Sequence, residues 1–231
     1  MVDTTKNCEK LAEFLGILLG DGNLNKSSNC ITIVGSLEEL SYYNNYVIPI
    51  IESLFEVKPK LRYRKDRNAI YIDFNSKQVM DYLSKELGLV RGNKRHAHVP
   101  EIIKNSSESI PHFLRGLFDT DGCLKFSKQT RKNNYYPRIQ LCFSDAPFVH
   151  EVKELLEKIG FKVGTWKDSR FNGLIFYQIS GSDNLEKWMK IVGSSNPVQK
   201  TKYQMWKKFG FYIPKSSLKS RREALNLNTL L

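Results

Sequence analysis

The sequence predicts an α+β protein built from two copies of one unit, each reading helix, hairpin, helix, hairpin, helix. Three observations predict it. A nine-residue motif recurs one hundred residues along the chain, and the elements after each copy follow in the same order. The 231 residues also carry 41% hydrophobic and 12% aromatic side chains, enough for packed interiors. The first copy is Phe14-Leu15-Gly16-Ile17-Leu18-Leu19-Gly20-Asp21-Gly22 and the second is Leu114-Arg115-Gly116-Leu117-Phe118-Asp119-Thr120-Asp121-Gly122. Gly16, Asp21, Gly22 and Leu24 return as Gly116, Asp121, Gly122 and Leu124 without a gap.

In the first copy a β-like stretch, Cys30–Val34, leads into a helical segment from about Leu37 to Phe55. A strand pair follows, Lys60–Lys65 and Ala69–Phe74, turning at Asp66-Arg67-Asn68, and then a helix from about Lys77 to Leu87. In the second copy Arg138–Phe143 is the strand and Pro147–Ile159 the helix. Its strand pair is Lys162–Lys167 and Leu174–Ser180, with a turn near Phe171-Asn172-Gly173, and Ser182–Val192 is its last helix. The polar stretch Ile103–Ser109, broken at Asn105-Ser106-Ser107, is the expected boundary between a repeat over 1–104 and a second over 105–231. Lys215–Leu231, basic and then Leu-rich, reads either as a mobile tail or as a packed helix.

Ala12, Gly16 and Gly20 fall four apart on one face of the first motif helix, and Gly116 and Thr120 fall on the matching face of the second. Small residues at this spacing let two helix backbones approach closely. An interior glycine costs about 1 kcal/mol relative to alanine, so the pattern makes sense where close contact offsets the cost. Gly22 and Gly122 are expected to end the helices in left-handed caps. Asp21 and Asp121 then lie side by side at two helix C-termini, where each faces an unfavourable dipole and the other's charge. Divalent cations relieve both, and hard oxygen ligands acting on a phosphate substrate point to Mg²⁺. Gly20 and Thr120 are counted with the acids as metal-binding positions. Asp119, matched by Leu19 in the first copy, points off the small-residue face and is read as structural.

Thirty-six Lys+Arg against 24 Asp+Glu give a formal charge of +12. That excess suits a polyanionic partner, nucleic acid before an anionic membrane surface. No apolar run reaches the length of a membrane span, no strongly amphipathic cationic helix is evident, and Met1–Lys10 lacks the apolar core of a signal peptide. Cys8, Cys30, Cys123 and Cys142 show no CxxC pairing and read as reduced thiols of an intracellular protein. His96, His98, His112 and His150 form no metal-binding cluster and are placed on the surface or at caps.

The paired motif resembles those of the LAGLIDADG homing endonucleases, and the repeat that carries the resemblance covers nearly the whole chain. The second copy is the closer match; the first keeps the internal glycine and the terminal Gly-Asp-Gly. The resemblance implies a single-chain, pseudo-symmetric αββαββα fold with two saddle-shaped antiparallel sheets lying along the DNA major groove. The motif helices would form the central interface, and Asp21 and Asp121 would bind catalytic metal over the minor groove. It implies Mg²⁺-dependent cleavage of a long site to staggered 3′ overhangs, with two or three divalent ions. Mn²⁺ is expected to substitute, and Ca²⁺ to support binding without cleavage. It also implies a basic residue after the second helix of each half: Lys94 in the first, and Lys200 or Lys202 in the second. Many members carry Gln or Lys at the end of the first long strand. Here those places read Gly35-Ser36 and Ser144-Asp145, which leaves the solvent-positioning residues unassigned.

A sheet that reads DNA needs one apolar face for the core and one polar face for bases and phosphates. In Lys60–Lys65, Arg62 and Arg64 share one side and Leu61 and Tyr63 the other. Ile70, Ile72 and Phe74 are expected inward, opposite Tyr71, Asp73 and Asn75. In the second half Arg138, Gln140 and Cys142 oppose Ile139, Leu141 and Phe143, with Lys167 and Arg170 on the following hairpin. The loop Ser127–Asn134, with Lys128, Arg131 and Lys132, reads as a DNA-backbone contact or as a solvated charged loop. Because the halves differ at these positions, the expected target is asymmetric or imperfectly palindromic, bound by a monomer. The alternatives are an RNA maturase acting on its own intron RNA and a non-cleaving DNA-binding regulator. An intein is not expected, since the sequence neither begins with Cys or Ser nor ends in His-Asn.

Overall fold

Apolar residues from Leu11 to Leu19 make α1, Cys8–Gly20, a helix buried on nearly every side in the computed structural model, which describes residues 8–168 and 173–227. The chain leaves α1 directly into β1, Gly22–Leu24, and returns as β2, Cys30–Ser36. The Asn25 side chain closes the hairpin by accepting the Ser27 and Ser28 backbone N–H groups at 3.0 and 2.9 Å. A continuous helical run over residues 37–55, α2, starts as a 3-10 turn at Leu37–Glu39 and ends as a regular helix at Ile48–Phe55. Between them Tyr43–Val47 is π-helical, with the Ile48 N–H donating to the Tyr43 carbonyl. Pro49, which has no N–H and whose ring crowds the Asn45 carbonyl, favours this widened turn. β3, Lys60–Arg64, and β4, Ala69–Asn75, make the next hairpin, followed by α3 over residues 77–86.

After a 3-10 turn at Lys94–His96 and a short helix α4, Glu101–Lys104, the pattern restarts. α5 is Ser109–Asp121, β5 Gly122–Ser127, β6 Tyr136–Phe143 and α6 Pro147–Lys158. β7, Gly164–Asp168, and β8, Leu174–Ser180, are followed by α7, Ser182–Ile191. The strand order is β1-β2-β4-β3 in one sheet and β5-β6-β8-β7 in the other, every pair antiparallel. Gly22 pairs with Ile33 and Gly122 with Leu141, so the repeat holds at the level of register. Each sheet turns an apolar face to the helices: Ile31, Ile33, Ile70 and Ile72 in the first, Ile139, Leu141, Ile175 and Ile179 in the second. The predicted α+β fold of two repeated halves is therefore the observed one.

Four expectations are corrected or fall outside the described residues. Gly122 is extended, φ −94° and ψ 160°, and Gly22 is likewise not left-handed, so neither forms the expected cap. Both are glycines because the chain turns from helix to strand too tightly for a side chain: a Cβ would crowd the Leu18 or Phe118 carbonyl oxygen. Tyr63 is 57% exposed instead of facing the core, because β3 is the outer edge strand and only its Leu61 packs inward. The second half continues beyond the expected unit into α8, Pro197–Phe209, and α9, Leu218–Ala224. The expected turn at Phe171-Asn172 lies outside the described residues, as does Arg170.

The stretch 215–227 is packed against the protein around the short helix α9, Leu218–Ala224. Arg221 of α9 is 2% exposed and donates to Thr201 Oγ1 at 2.9 Å and to the Ser216 carbonyl, while the Leu218 N–H donates to Glu38 Oε1 of the first half at 2.8 Å. Cys30, Cys123 and Cys142 are free thiols, and no helix among the described residues is long and apolar enough to cross a membrane.

Candidate active site

α1 and α5 cross where their glycines meet. A Cβ on Gly16 would overlap the Phe113 carbonyl oxygen, and one on Gly116 would overlap the Glu13 carbonyl oxygen, so each helix backbone rests on the other in reciprocal fashion. Further along, the space beside Gly20 is filled by the Thr120 side chain. A buried ion pair fixes the crossing. Glu13 of α1, 2% exposed, accepts two hydrogen bonds from Arg115 of α5 at 2.9 and 2.7 Å, one from Tyr46 at 2.9 Å and one from Ser195 at 2.9 Å. With all four donors in place the charge is compensated, and removing any one would leave it short of a partner.

This packing delivers Asp21 and Asp121 to adjoining helix ends. Asp121 Oδ2 lies 3.4 Å from where a Cβ of Gly20 would stand. Burial pushes the Asp21 carboxyl up to about 7, opposed by a hydrogen bond from Tyr43 and aided by the charges of Asp121 and Glu39. Burial raises Asp121 to about 6, opposed by the Lys94 charge. Lys94 is held in turn by the motif helix: its ammonium donates to the Leu19 carbonyl at 2.7 Å and the Gly20 carbonyl at 2.6 Å. Burial lowers it to about 8, against the pull of both carboxylates. The 3-10 turn that carries Lys94 is set by Asn93, whose side chain accepts the Arg95 N–H at 2.9 Å.

The second half does not repeat this arrangement. The carbonyl of Asp119, at the position of Leu19, accepts the Asn196 side-chain amide at 2.9 Å. Asn196 thus makes the contact on α5 that Lys94 makes on α1. Lys200, an expected counterpart of Lys94, is exposed, and Lys202 lies 3.7 Å from Cys123 Sγ and 3.4 Å from Gln199 Oε1. Lys94 is the cation that bears on Asp121, so the expectation of a second-half lysine at the acids is corrected. The spacing after the second helix does not reveal this, because α8 begins at Pro197 and carries both lysines along its length, while its N-cap Asn196 makes the contact to α5.

Asp119 is fully buried and structural, as expected. It accepts Ser194 Oγ, the Ser195 N–H at 2.5 Å and the Asn196 N–H at 3.0 Å, which oppose the burial that pushes it to about 7. Three residues that matter here escaped sequence reading. Tyr43 donates to Asp21 Oδ2 at 2.5 Å. Glu39 accepts Asn196 Nδ2 at 2.7 Å, and Gln199 ties the Gly122 carbonyl and the Leu124 N–H at 3.1 and 3.0 Å. Glu39 also closes a Ser36-to-Glu39 capping box, a local pattern that carries no sign of its long-range contact. Tyr43 and Gln199 stand in no recognisable local motif, and the contacts named here each span at least 22 residues of sequence.

Asp121 faces an open cleft of about 870 Å³ whose lining also includes Gly20, Lys94, Arg95, Cys142 and Ser144. Two carboxylates with upward-shifted pKa values favour a bound cation, and Mg²⁺ takes one or two carboxylates with water and phosphate completing its shell. No cluster of three His, Cys, Asp or Glu exists among the described residues, so the two acids fit an ion that shares its coordination with substrate. Gly20 and Thr120 fit less well as ligands. The Gly20 carbonyl is engaged by Lys94, and the Thr120 hydroxyl donates back to Gly116 and Leu117 of its own helix.

Of the residues expected to read DNA, Arg62, Arg64, Tyr71, Asp73, Asn75, Arg138 and Gln140 lie on the outer faces of the sheets. The expectation for Lys167 is corrected: on edge strand β7 it stands opposite buried Ile175 and so shares the helix-facing side. Arg62 donates to Asp73 at 2.8 and 2.5 Å with its guanidinium 6.0 Å from the Tyr71 ring, and Asn75 is exposed at the strand end. Arg64 pairs with Asp66 at 2.9 Å and Lys167 with Asp145 at 2.9 Å. Arg138 is half-buried with its Nε unpaired among the described residues, and Gln140 accepts Lys125. In the 127–134 loop Lys128, Arg131 and Lys132 are exposed, Arg131 lying 4.4 Å over the Tyr135 ring. That loop is braced by α8, since Trp206 Nε1 donates to the Tyr135 carbonyl at 2.7 Å.

Residues 108–193 match the family model of the LAGLIDADG-like domain. Among curated proteins, the replication factor C small subunit of Methanocaldococcus jannaschii is 31% identical over 200 residues, 81% of this chain and 10% of that protein. The protein of the same name from Thermococcus kodakarensis is 27% identical over 192 residues, 81% of this chain and 20% of its own length. A DNA polymerase of Thermococcus litoralis is 28% identical over 189 residues, 74% of this chain and 10% of the polymerase. The chain thus spans a tenth to a fifth of these relatives. Among solved structures, the homing endonuclease I-DmoI in complex with DNA and Mn superposes with a TM-score of 0.58 at 18% identity, over 80% of this chain and 97% of that one. The N-terminal LAGLIDADG domain of DUF199/WhiA gives a TM-score of 0.55 at 13% identity, over 80% of this chain and 81% of that one.

Proposed function

We propose that this chain, which belongs to the LAGLIDADG family as a single-chain member with two motifs, is a site-specific endonuclease that hydrolyses both strands of a DNA duplex. One observation carries the reading: Asp21 and Asp121 stand at adjoining ends of two helices in reciprocal backbone contact, with the Lys94 ammonium acting on both. The formal charge of +12 and the cationic outer faces of the sheets support a nucleic-acid substrate. The I-DmoI complexes with DNA and Ca or Mn support it by likeness of fold, and fold alone does not assign chemistry, so the acids carry the weight. Segments like this chain occur in relatives of unrelated name, which supports reading it as a self-contained module.

In the reaction a water oxygen attacks phosphorus, the bond to the 3′ oxygen breaks, and a proton passes to that oxygen, leaving a 3′ hydroxyl and a 5′ phosphate. Asp21 and Asp121 would hold the divalent ions, Mg²⁺ being the ion their oxygen chemistry suits. Bound there, such ions neutralise charge on the phosphate and promote deprotonation of the water. Lys94 places positive charge beside the acids and, with burial holding it near 8, is also able to orient the attacking water or relay a proton away from it. The two sheets present different side chains, so the target is asymmetric, and the closely set acids act on opposite strands to leave staggered 3′ overhangs. Both motifs lie in one chain, so a monomer suffices.

The test is incubation with a randomised DNA library and Mg²⁺, followed by sequencing of the cut ends. Discrete staggered ends at one long site are expected. Retention of bound DNA without cutting would replace this reading with that of a DNA-binding regulator.

A further inference from the structure

Asp21 and Asp121 are equivalent in the repeat, yet their carboxylates are supported differently. The Tyr43 hydroxyl donates to Asp21 Oδ2 at 2.5 Å, and no side chain among the described residues is hydrogen-bonded to the Asp121 carboxylate. The tyrosine is seated for this contact. Its ring is fully buried and packs edge-on to Tyr42, with centroids 5.1 Å apart. It also occupies the space a side chain at Gly35 would need, since a Cβ there would overlap the ring. The residue starts the π-helical turn of α2, a local widening of the kind often found at functional sites. By register Gly35 corresponds to Phe143, because Ile33 and Leu141 face Gly22 and Gly122, so the second half fills the same place with its own side chain. The notch, the ring and the hydroxyl are all particular to the first half.

A hydrogen bond to one oxygen of a ligating carboxylate fixes its rotamer and leaves the other oxygen to face the metal. Outer-shell partners of this kind commonly change metal affinity 10- to 100-fold when removed. We propose that Tyr43 is a positioning residue for Asp21, and that it makes the metal position on the Asp21 side unequal to that on the Asp121 side. This rests on the metal reading of the two acids given above. Tyr43 acts only through Asp21. The phenol does not reach the substrate in this geometry, because its hydroxyl is spent on Oδ2 and its ring lies in the core.

Tyr43→Phe keeps the ring in its notch and removes one oxygen. Mn²⁺ is titrated, with free ion followed by electron paramagnetic resonance, against wild type, Tyr43→Phe, Asp21→Asn, Asp121→Asn and the Tyr43→Phe/Asp21→Asn and Tyr43→Phe/Asp121→Asn double variants. Expected is a weakening of Mn²⁺ binding in Tyr43→Phe by roughly 10- to 100-fold at one position. In the Asp21→Asn background the same change should have no further effect, whereas it should still weaken binding in combination with Asp121→Asn. Circular dichroism of the metal-free variants establishes that each is folded. If Asp21→Asn weakens Mn²⁺ binding and Tyr43→Phe does not, the positioning role is overturned while the metal site stands. Should neither acid variant alter Mn²⁺ binding, the metal reading itself falls, and this proposal with it.

Discussion

The two halves of the molecule share a frame and differ in what they hang on it. The strand order, the pairing of Gly22 with Ile33 and Gly122 with Leu141, and the reciprocal seating of Gly16 and Gly116 are common to both. Around the acids the likeness ends. Asp21 is clasped by Tyr43, while Asp121 lines the open cleft. The end of α1 is capped by the charged Lys94, and the end of α5 by the neutral Asn196. Leu19 sits in apolar packing where Asp119 gathers three donors. Backbone packing at the crossing has no slack, so both copies must satisfy it in the same way. A carboxylate can be supported in several ways, so its surroundings are free to diverge.

The largest effects should come from the acids themselves. Asp21→Asn and Asp121→Asn are each expected to abolish double-strand cutting while Ca²⁺-supported DNA binding persists, measured by plasmid cleavage and by gel shift. Full cutting by the double variant would remove both residues from the chemistry. Next is the lysine asymmetry. Lys94→Met should lower cleavage by on the order of 100-fold, because one ammonium serves both acids. Lys200→Met and Lys202→Met should stay within about threefold, as surface or near-surface changes away from such features are mild. Equal losses for Lys94 and Lys202 would restore the symmetric arrangement.

The shared frame can be broken too. Gly16→Ala and Gly116→Ala should each destabilise by about 3 kcal/mol or more, since the added methyl meets backbone and not a movable side chain. Urea denaturation of the two variants should give similar losses; a large loss in one alone would show that the crossing is not reciprocal.

The smallest expected effect is on pH dependence. Asp21 and Asp121 have folded pKa values of about 7 and about 6 against 3.8 for the ordinary group. Between these limits the folded state binds more protons than the unfolded state, so this contribution to stability falls as pH rises from about 4 to about 7 and then levels off. The metal-free melting temperature of wild type should therefore drop relative to Asp21→Asn over that window. Mg²⁺, which competes with those protons, should stabilise wild type more at pH 8 than at pH 5. A wild type that gains on Asp21→Asn as pH rises would contradict the inferred burial of Asp21.

The sequence determined by itself what repeats along it. The motif, the glycine spacing and the alternation of Ile70, Ile72 and Phe74 are local patterns, each readable because a helix or strand places side chains at a fixed period. From them came the two repeated halves, the meeting of the motif helices and the pairing of Asp21 with Asp121. Tertiary structure alone decided how the pair is supported. Tyr43 reaches Asp21 across a π-helical turn and a glycine notch, and Asn196 reaches Asp119 across 77 residues. The extended form of Gly122 is likewise set by the passage from α5 into β5, where an Asp-Gly pair read in isolation suggests a left-handed cap. Contacts between distant segments have no period to betray them. They depend on which residues the packed frame brings within a hydrogen bond's reach.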